Sequence, residues 1–135
     1  MPHFKHIVIV GCGRLGGALA NHLSSEGHNV VVIDRRDGAF DKLGPDFSGF
    51  RLIGDAIEPH TLKEAGIQKA DCLFATTTGD NTNLMVAQVA KEIFNVKRVV
   101  ARVFDPAREM LYKELGIETI SPVKLSADAF LRLVE

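Results

Sequence analysis

Short apolar runs alternate with amphipathic stretches along the whole chain, the pattern of a parallel sheet buried on both faces by helices. The first run, His6-Ile7-Val8-Ile9-Val10, predicts a strand that leads straight into a glycine-rich turn. Residues 15–26 predict a helix with Leu15, Ala18, Leu19 and Leu23 on one face, stopped by Gly27. Residues 29–34 predict a second strand, apolar until it ends on Asp34. A poorly marked helix at residues 39–43 ends at Gly44-Pro45, and residues 50–54 predict strand three. Pro59 suits the first turn of a helix that Gly66 closes. Residues 71–75 predict strand four, residues 80–94 the longest helix and residues 98–103 strand five. Asp105-Pro106 opens a further helix ended by Gly116, residues 116–120 predict strand six, and residues 124–134 a final helix.

The glycine turn gives this alternation a chemical purpose. Gly11-Cys12-Gly13-Arg14-Leu15-Gly16 directly follows a strand and opens a helix, the context that Gly-x-Gly-x-x-Gly needs to bind a dinucleotide. Gly11 permits the turn, Gly13 lets a phosphate approach the backbone, and Gly16 lets the helix pack against strand one. The helix start then offers free N–H groups and a positive dipole end to an anion. Asp34 ends strand two, 18 residues after Gly16, where a carboxylate can accept hydrogen bonds from ribose hydroxyls. That carboxylate disfavours a 2′-phosphate, whereas Arg35 and Arg36 beside it can accommodate one. Arg14, in the first turn, is unfavourable next to the dipole unless an anion shares the site. The expected fold is therefore α/β: Rossmann-type, doubly wound, a six-stranded mainly parallel sheet with helices on both faces.

Composition narrows the partners. A chain of 135 residues fits one domain over residues 1–135, and 46% apolar residues supply a core. The formal charge of -1 gives no attraction to nucleic acid, and the longest basic cluster is Arg35-Arg36. No apolar run approaches bilayer-spanning length, and the run from Ile7 to Val10 is too short for a secretory signal. A cytoplasmic domain with no direct membrane insertion is expected. Cys12 and Cys72 have no ligand spacing, so they are expected as buried thiols, with no metal site.

Taken in order, Gly11-x-Gly13-Arg14-x-Gly16, Val32-Ile33-Asp34, Gly54-Asp55-Ala56, Ala70-Asp71, Asp80-x-x-Asn83, Arg102 and Leu115-Gly116-Ile117…Pro122 resemble the TrkA-N domain. This domain is also called KTN or the N-terminal half of RCK, in regulators of potassium channels and transporters. The resemblance implies a regulatory subunit or domain that binds NAD(H) or ATP/ADP at the strand C-termini and changes the shape of a homodimer or higher ring. The motion passes to a membrane-embedded potassium channel or transporter subunit. It further implies phosphates on Gly11, Cys12, Gly13, Leu15 and Gly16, ribose on Asp34 with Arg35 beside it, and the adenine edge at Asp55 and Ala56. Thr76 and Thr77 line the phosphate or nicotinamide side, and Arg14 reaches a neighbouring subunit's nucleotide.

From the residues themselves, Thr76 and Thr77 can equally satisfy strand ends or cap the next helix. Asp80 is expected as that helix's N-cap, and Asn83 as an anchor for the loop or a neighbour. Arg102, if buried, needs an acid or a phosphate. Relatives usually add a second subdomain after the last helix, and the double arginine departs from the commoner acidic continuation after Asp34.

Val123, Ala127, Phe130, Leu131 and Val134 recur at helical spacing, so residues 123–135 are expected to dimerise rather than cover the domain's own sheet. An enzyme would need an acid or base near the cofactor. His3, His6, His22, His28 and His60 are scattered, Tyr112 sits in a late helix, and no catalytic constellation emerges. A non-enzymatic regulator is expected. The alternatives are an NAD-dependent oxidoreductase fragment lacking its catalytic domain, or a stand-alone nucleotide or redox sensor.

Overall fold

A computed structural model describes residues 4–135; His3 lies outside them. Six strands form one sheet: β1 (His6–Val10), β2 (Asn29–Asp34), β3 (Phe50–Ile53), β4 (Cys72–Ala75), β5 (Arg98–Arg102) and β6 (Glu118–Ile120). Every neighbouring pair is parallel, in the order β3-β2-β1-β4-β5-β6, so the sheet is parallel throughout. The order reverses between β1 and β4, which opens a crevice at the carboxyl ends of those strands.

Strand alternation sorts the core into two layers. Ile7, Ile9, Val30 and Val32 pack with Ala20 of helix α1 (Arg14–Ser25), Phe40 of a 3-10 segment, Asp37–Lys42, and Phe47 of the loop beyond it. Val8, Val10, Val31, Ile33 and Leu73 face the opposite layer. That layer comprises α2 (Pro59–Glu64), α3 (Asp80–Gln88) and α4 (Glu109–Glu114), which bring Leu62, Val86 and Tyr112 to the core.

Three elements differ from the sequence pattern. The poorly marked helix at residues 39–43 is the 3-10 segment Asp37–Lys42. The long helix over residues 80–94 widens into a π-turn at Val89–Ile93, where the Phe94 amide reaches back to the Val89 carbonyl. Asn95 then adopts φ 54, a left-handed position that asparagine tolerates, and ends the element. The helix after Asp105 begins as a 3-10 turn, Pro106–Arg108, with the Asp105 carboxylate accepting from the Ala107 amide.

The last helix, α5 (Pro122–Val134), is capped by Ser121, whose hydroxyl accepts from the Lys124 amide at 3.2 Å. It contributes no buried residue, and Phe130 is 73% exposed. The α1 side of the sheet is also thinly covered at β5 and β6, where Val100 is half-buried and Ile120 is 45% exposed.

The tightest packing lies where α1 leaves β1. Gly11 has φ +98, and a Cβ built on Gly16 would sit 1.8 Å from the Gly11 carbonyl oxygen and 2.8 Å from the Thr76 hydroxyl. A Cβ on Gly13 would meet nothing within 4 Å. Gly16→Ala is expected to cost about 3 kcal/mol, at the upper end for overpacking, by urea denaturation. Gly13→Ala should cost clearly less, and equal losses would contradict this geometry.

Candidate functional site

The turn of residues 11–13 is tied to the end of β2 by one carboxylate. Asp34 Oδ2 accepts from the Cys12 amide at 2.8 Å, and Oδ1 accepts from the Arg36 amide at 2.9 Å. The Gly11 amide donates to the Ile33 carbonyl at 2.8 Å, so β1 and β2 enter the turn locked together. The helix start beyond it has no side-chain cap; the first recorded helical bond here runs from Gly17 N to Gly13 O. The preceding amides have no carbonyl one turn back, and a Cβ at Gly13 would meet nothing within 4 Å.

Around this turn lies a cleft of ≈ 560 Å³, within the range of small-molecule and cofactor sites. Ten of the residues singled out in the sequence line it: Gly11, Cys12, Gly13, Asp34, Arg35, Asp55, Ala56, Thr76, Thr77 and Arg102. Arg14, Leu15 and Gly16 do not. Arg14 is exposed at the first position of α1, Leu15 is half-buried, and Gly16 is buried against the Gly11 carbonyl as a packing residue. The cleft also takes in Arg36, read from the sequence beside Arg35 as able to accommodate a 2′-phosphate, and Lys42, Gly54, Gly79 and Thr82, to which the sequence assigned no ligand contact. Arg36, Gly54 and Gly79 adjoin expected residues, whereas Lys42 arrives from the 3-10 segment with no signal in the sequence.

The threonines at the floor of the cleft face inward. Thr76 Oγ1 lies 3.0 Å from both the Val10 and Gly11 carbonyls, to which it donates. Thr77 Oγ1 donates to Asn83 Oδ1 at 2.6 Å, and its amide donates to the same oxygen at 3.0 Å. Asn83, fully buried, returns two bonds from Nδ2, to the Thr77 and Arg102 carbonyls. One side chain thus pins the end of β4 to the end of β5.

Of the two partners expected for Arg102, the acid is not found. Among the described residues it pairs with no acid; Nη2 donates to the Thr76 and Thr77 carbonyls, and its guanidinium lies 4.6 Å from the centroid of the Phe104 ring. Nε is buried with no hydrogen-bond partner. Burial pushes its pKa below the usual guanidinium value, and the charge of Asp80 opposes that shift.

Asp80 is not the N-cap. Gly79 holds that position, and the Asp80 carboxylate accepts from the Phe104 and Asp105 amides at 2.7 and 3.0 Å, fixing the loop after β5. Tyr112 donates its hydroxyl to the Asp80 carbonyl from α4. Burial and Asp34 push the Cys12 thiol up, against the nearby charges of Lys42 and Arg51; burial is also the main force raising Cys72. Both cysteines are free. Among the described residues there is no group of His, Cys, Asp and Glu suited to a metal, and no helix is long and apolar enough to cross a membrane.

Comparison with known proteins places this geometry. The family model "TrkA-N domain" matches residues 7–122. The chain is 48% identical over 127 residues to the Trk system potassium uptake protein TrkA of Streptomyces coelicolor, covering 94% of this chain and 57% of that protein. It is 32% identical over 130 residues to a TrkA homolog of Methanothermobacter thermautotrophicus, covering 96% and 60%. The chain therefore spans less than two thirds of the length of these curated relatives.

Among solved structures, the TrkA-N domain of the Escherichia coli inner membrane protein ybaL superposes with a TM-score of 0.86 at 20% identity, covering 100% of both chains. A Shewanella denitrificans Kef CTD in AMP-bound form gives 0.78 at 23% identity, covering 96% of this chain and 82% of that one. A GsuK channel bound to NAD gives 0.72 at 19% identity, covering 90% and 22%. At these identities the structural likenesses establish the shared fold. With the glycine turn, the parallel sheet and the matched residues in agreement, this chain belongs to the TrkA-N domain family.

Proposed function

We propose that this chain is the nucleotide-sensing part of a regulator that governs a membrane-embedded potassium channel or transporter. One observation carries the reading: the glycine turn at the uncapped start of α1 lines a cleft together with Asp34, whose carboxylate suits a ribose. The ligand is an adenine nucleotide, NAD(H) or ATP/ADP. Its phosphates sit on the turn around Gly13, its ribose on Asp34 and its adenine edge near Asp55 and Ala56. Solved relatives bound to AMP and NAD, and the potassium-uptake proteins among the sequence relatives, support both halves of the reading.

Within the cleft the residues have distinct tasks. Thr76 and Thr77 shape the floor, because their hydroxyls are already bonded within the protein. Arg102 offers a charge that no acid neutralises, suited to an anionic phosphate. Arg14 points to a role across an interface, since it is exposed and does not line its own cleft.

Binding rather than reaction is the role proposed for the cleft. Among the described residues no histidine or tyrosine lines it. His6 bonds to Ala65 and Asn29, His22 lies 3.3 Å from Glu26, and His60 lies 3.3 Å from Glu58. A regulator of this kind, soluble and cytoplasmic, works through assembly. The exposed apolar face of α5 and the thinly covered β5–β6 surface fit a second copy of the chain, giving a homodimer or a larger ring.

Asp34→Ala removes the acceptor for the Cys12 and Arg36 amides as well as for the ribose. Calorimetric affinity for NAD and ADP is expected to fall by about 1–3 kcal/mol, and an unchanged affinity takes Asp34 out of the site. Phe130→Asp places a charge on the exposed face of α5. Sedimentation is expected to show a shift towards monomer, and an unaltered profile means that α5 is not the dimer contact.

A further inference from the structure

Three cations border the ribose end of the cleft. Arg35 and Arg36 follow Asp34 directly, and Lys42 enters from the 3-10 segment. All three are exposed, and among the described residues none forms an ion pair. Acidic residues stand close in sequence, at Asp37 and Asp41, but neither lines the cleft.

Lys42 is held over the start of α1. Asn21 donates from Nδ2 to the Lys42 carbonyl at 3.1 Å and accepts from the Gly44 amide at 2.8 Å, clamping that segment to the helix. A Cβ on Gly17 would lie 3.1 Å from the Lys42 Cβ, so the lysine backbone passes close above the first turns. The charge of Lys42 reaches as far as the Cys12 thiol, inside the glycine turn.

Asp34 alone would repel an additional phosphate on the ribose. Here both of its oxygens accept backbone amides, which disperses the negative charge. Across the whole lining, Arg35, Arg36, Lys42 and Arg102 outnumber Asp34 and Asp55. Beside Asp34, whose oxygens are already shared with amides, the lining thus offers Arg35, Arg36 and Lys42 without an ion-pair partner among the described residues.

We propose that the ribose end of this cleft accepts a 2′-phosphate, held by Arg35, Arg36 and Lys42, so that the domain takes NADP(H)-class ligands as well as unphosphorylated ones. The proposal rests on the nucleotide-binding reading and specifies its ligand.

The test is calorimetric titration of the purified chain with AMP, ADP, adenosine 2′,5′-bisphosphate, NAD and NADP at low salt. Adenosine 2′,5′-bisphosphate should bind about tenfold more tightly than AMP, and NADP at least as tightly as NAD. In the double variant Arg35→Gln/Lys42→Gln, checked for folding by circular dichroism, the preference for the bisphosphate over AMP should collapse. Any loss of ADP affinity relative to AMP should be smaller. AMP and NAD binding with an equal or weaker response to the 2′-phosphorylated ligands overturns the proposal and leaves the nucleotide reading intact. A preference that survives the double variant assigns the phosphate to other groups and overturns it as well. A folded chain that binds none of the five removes both.

Discussion

No side chain can stand between Gly11 and Gly16. With a Cβ at Gly16 brought to 1.8 Å of the Gly11 oxygen, α1 can start this close to β1 only if position 16 is bare. The left-handed φ of Gly11 makes the bend that brings the helix back over the strand. This approach sets the uncapped start of α1 beside the crevice that Gly11, Cys12 and Gly13 line. Asp34 completes the arrangement by holding the turn through Cys12 and its own strand exit through Arg36. The turn and the end of β2 are consequently bonded into one unit at the start of α1.

A second polar staple shapes the other wall of the crevice. Asn83 joins the ends of β4 and β5 through Thr77 and Arg102, buried where an unmade bond costs about 1–3 kcal/mol. Asp80, one turn earlier, fastens the loop that leads to α4, and Tyr112 of α4 bonds back to Asp80. These bonds connect the cleft with α4, and the chain continues from there to β6 and the exposed α5. A ligand drawing on Arg102 would act on the carbonyls of Thr76 and Thr77 at the head of that chain of contacts, which gives the proposed sensing role a physical route through the fold.

Much of this fold is legible in the sequence because parallel strands are buried on both faces and read as unbroken apolar runs, as at Ile7 to Val10 and Val30 to Ile33. The glycine turn and Asp34 were legible for the same reason: their spacing follows from the geometry of a strand, a tight turn and a helix. Long-range partners were not. Asp80 has the look of a cap in its own helix, yet its carboxylate is claimed by amides at residues 104 and 105. Arg102 on a mostly apolar strand implied an acid or a phosphate; among the described residues no acid pairs with it, and it rests on backbone carbonyls and a Phe104 ring. Lys42 reaches the cleft only through the path of a 3-10 segment that hydrophobic periodicity marks poorly. The π-turn at Val89–Ile93 likewise leaves the apolar pattern almost unchanged.

The central claim is that the amides at the start of α1 are the anion-binding element of a nucleotide cleft. It is tested most directly by recording the backbone amide NMR spectrum of isotopically labelled protein during titration with AMP and NAD. The claim predicts saturable shifts that are largest at residues 12–15, accompanied by changes at residues 34–36. Saturable shifts centred elsewhere, or a well-dispersed spectrum that neither ligand alters, would contradict it.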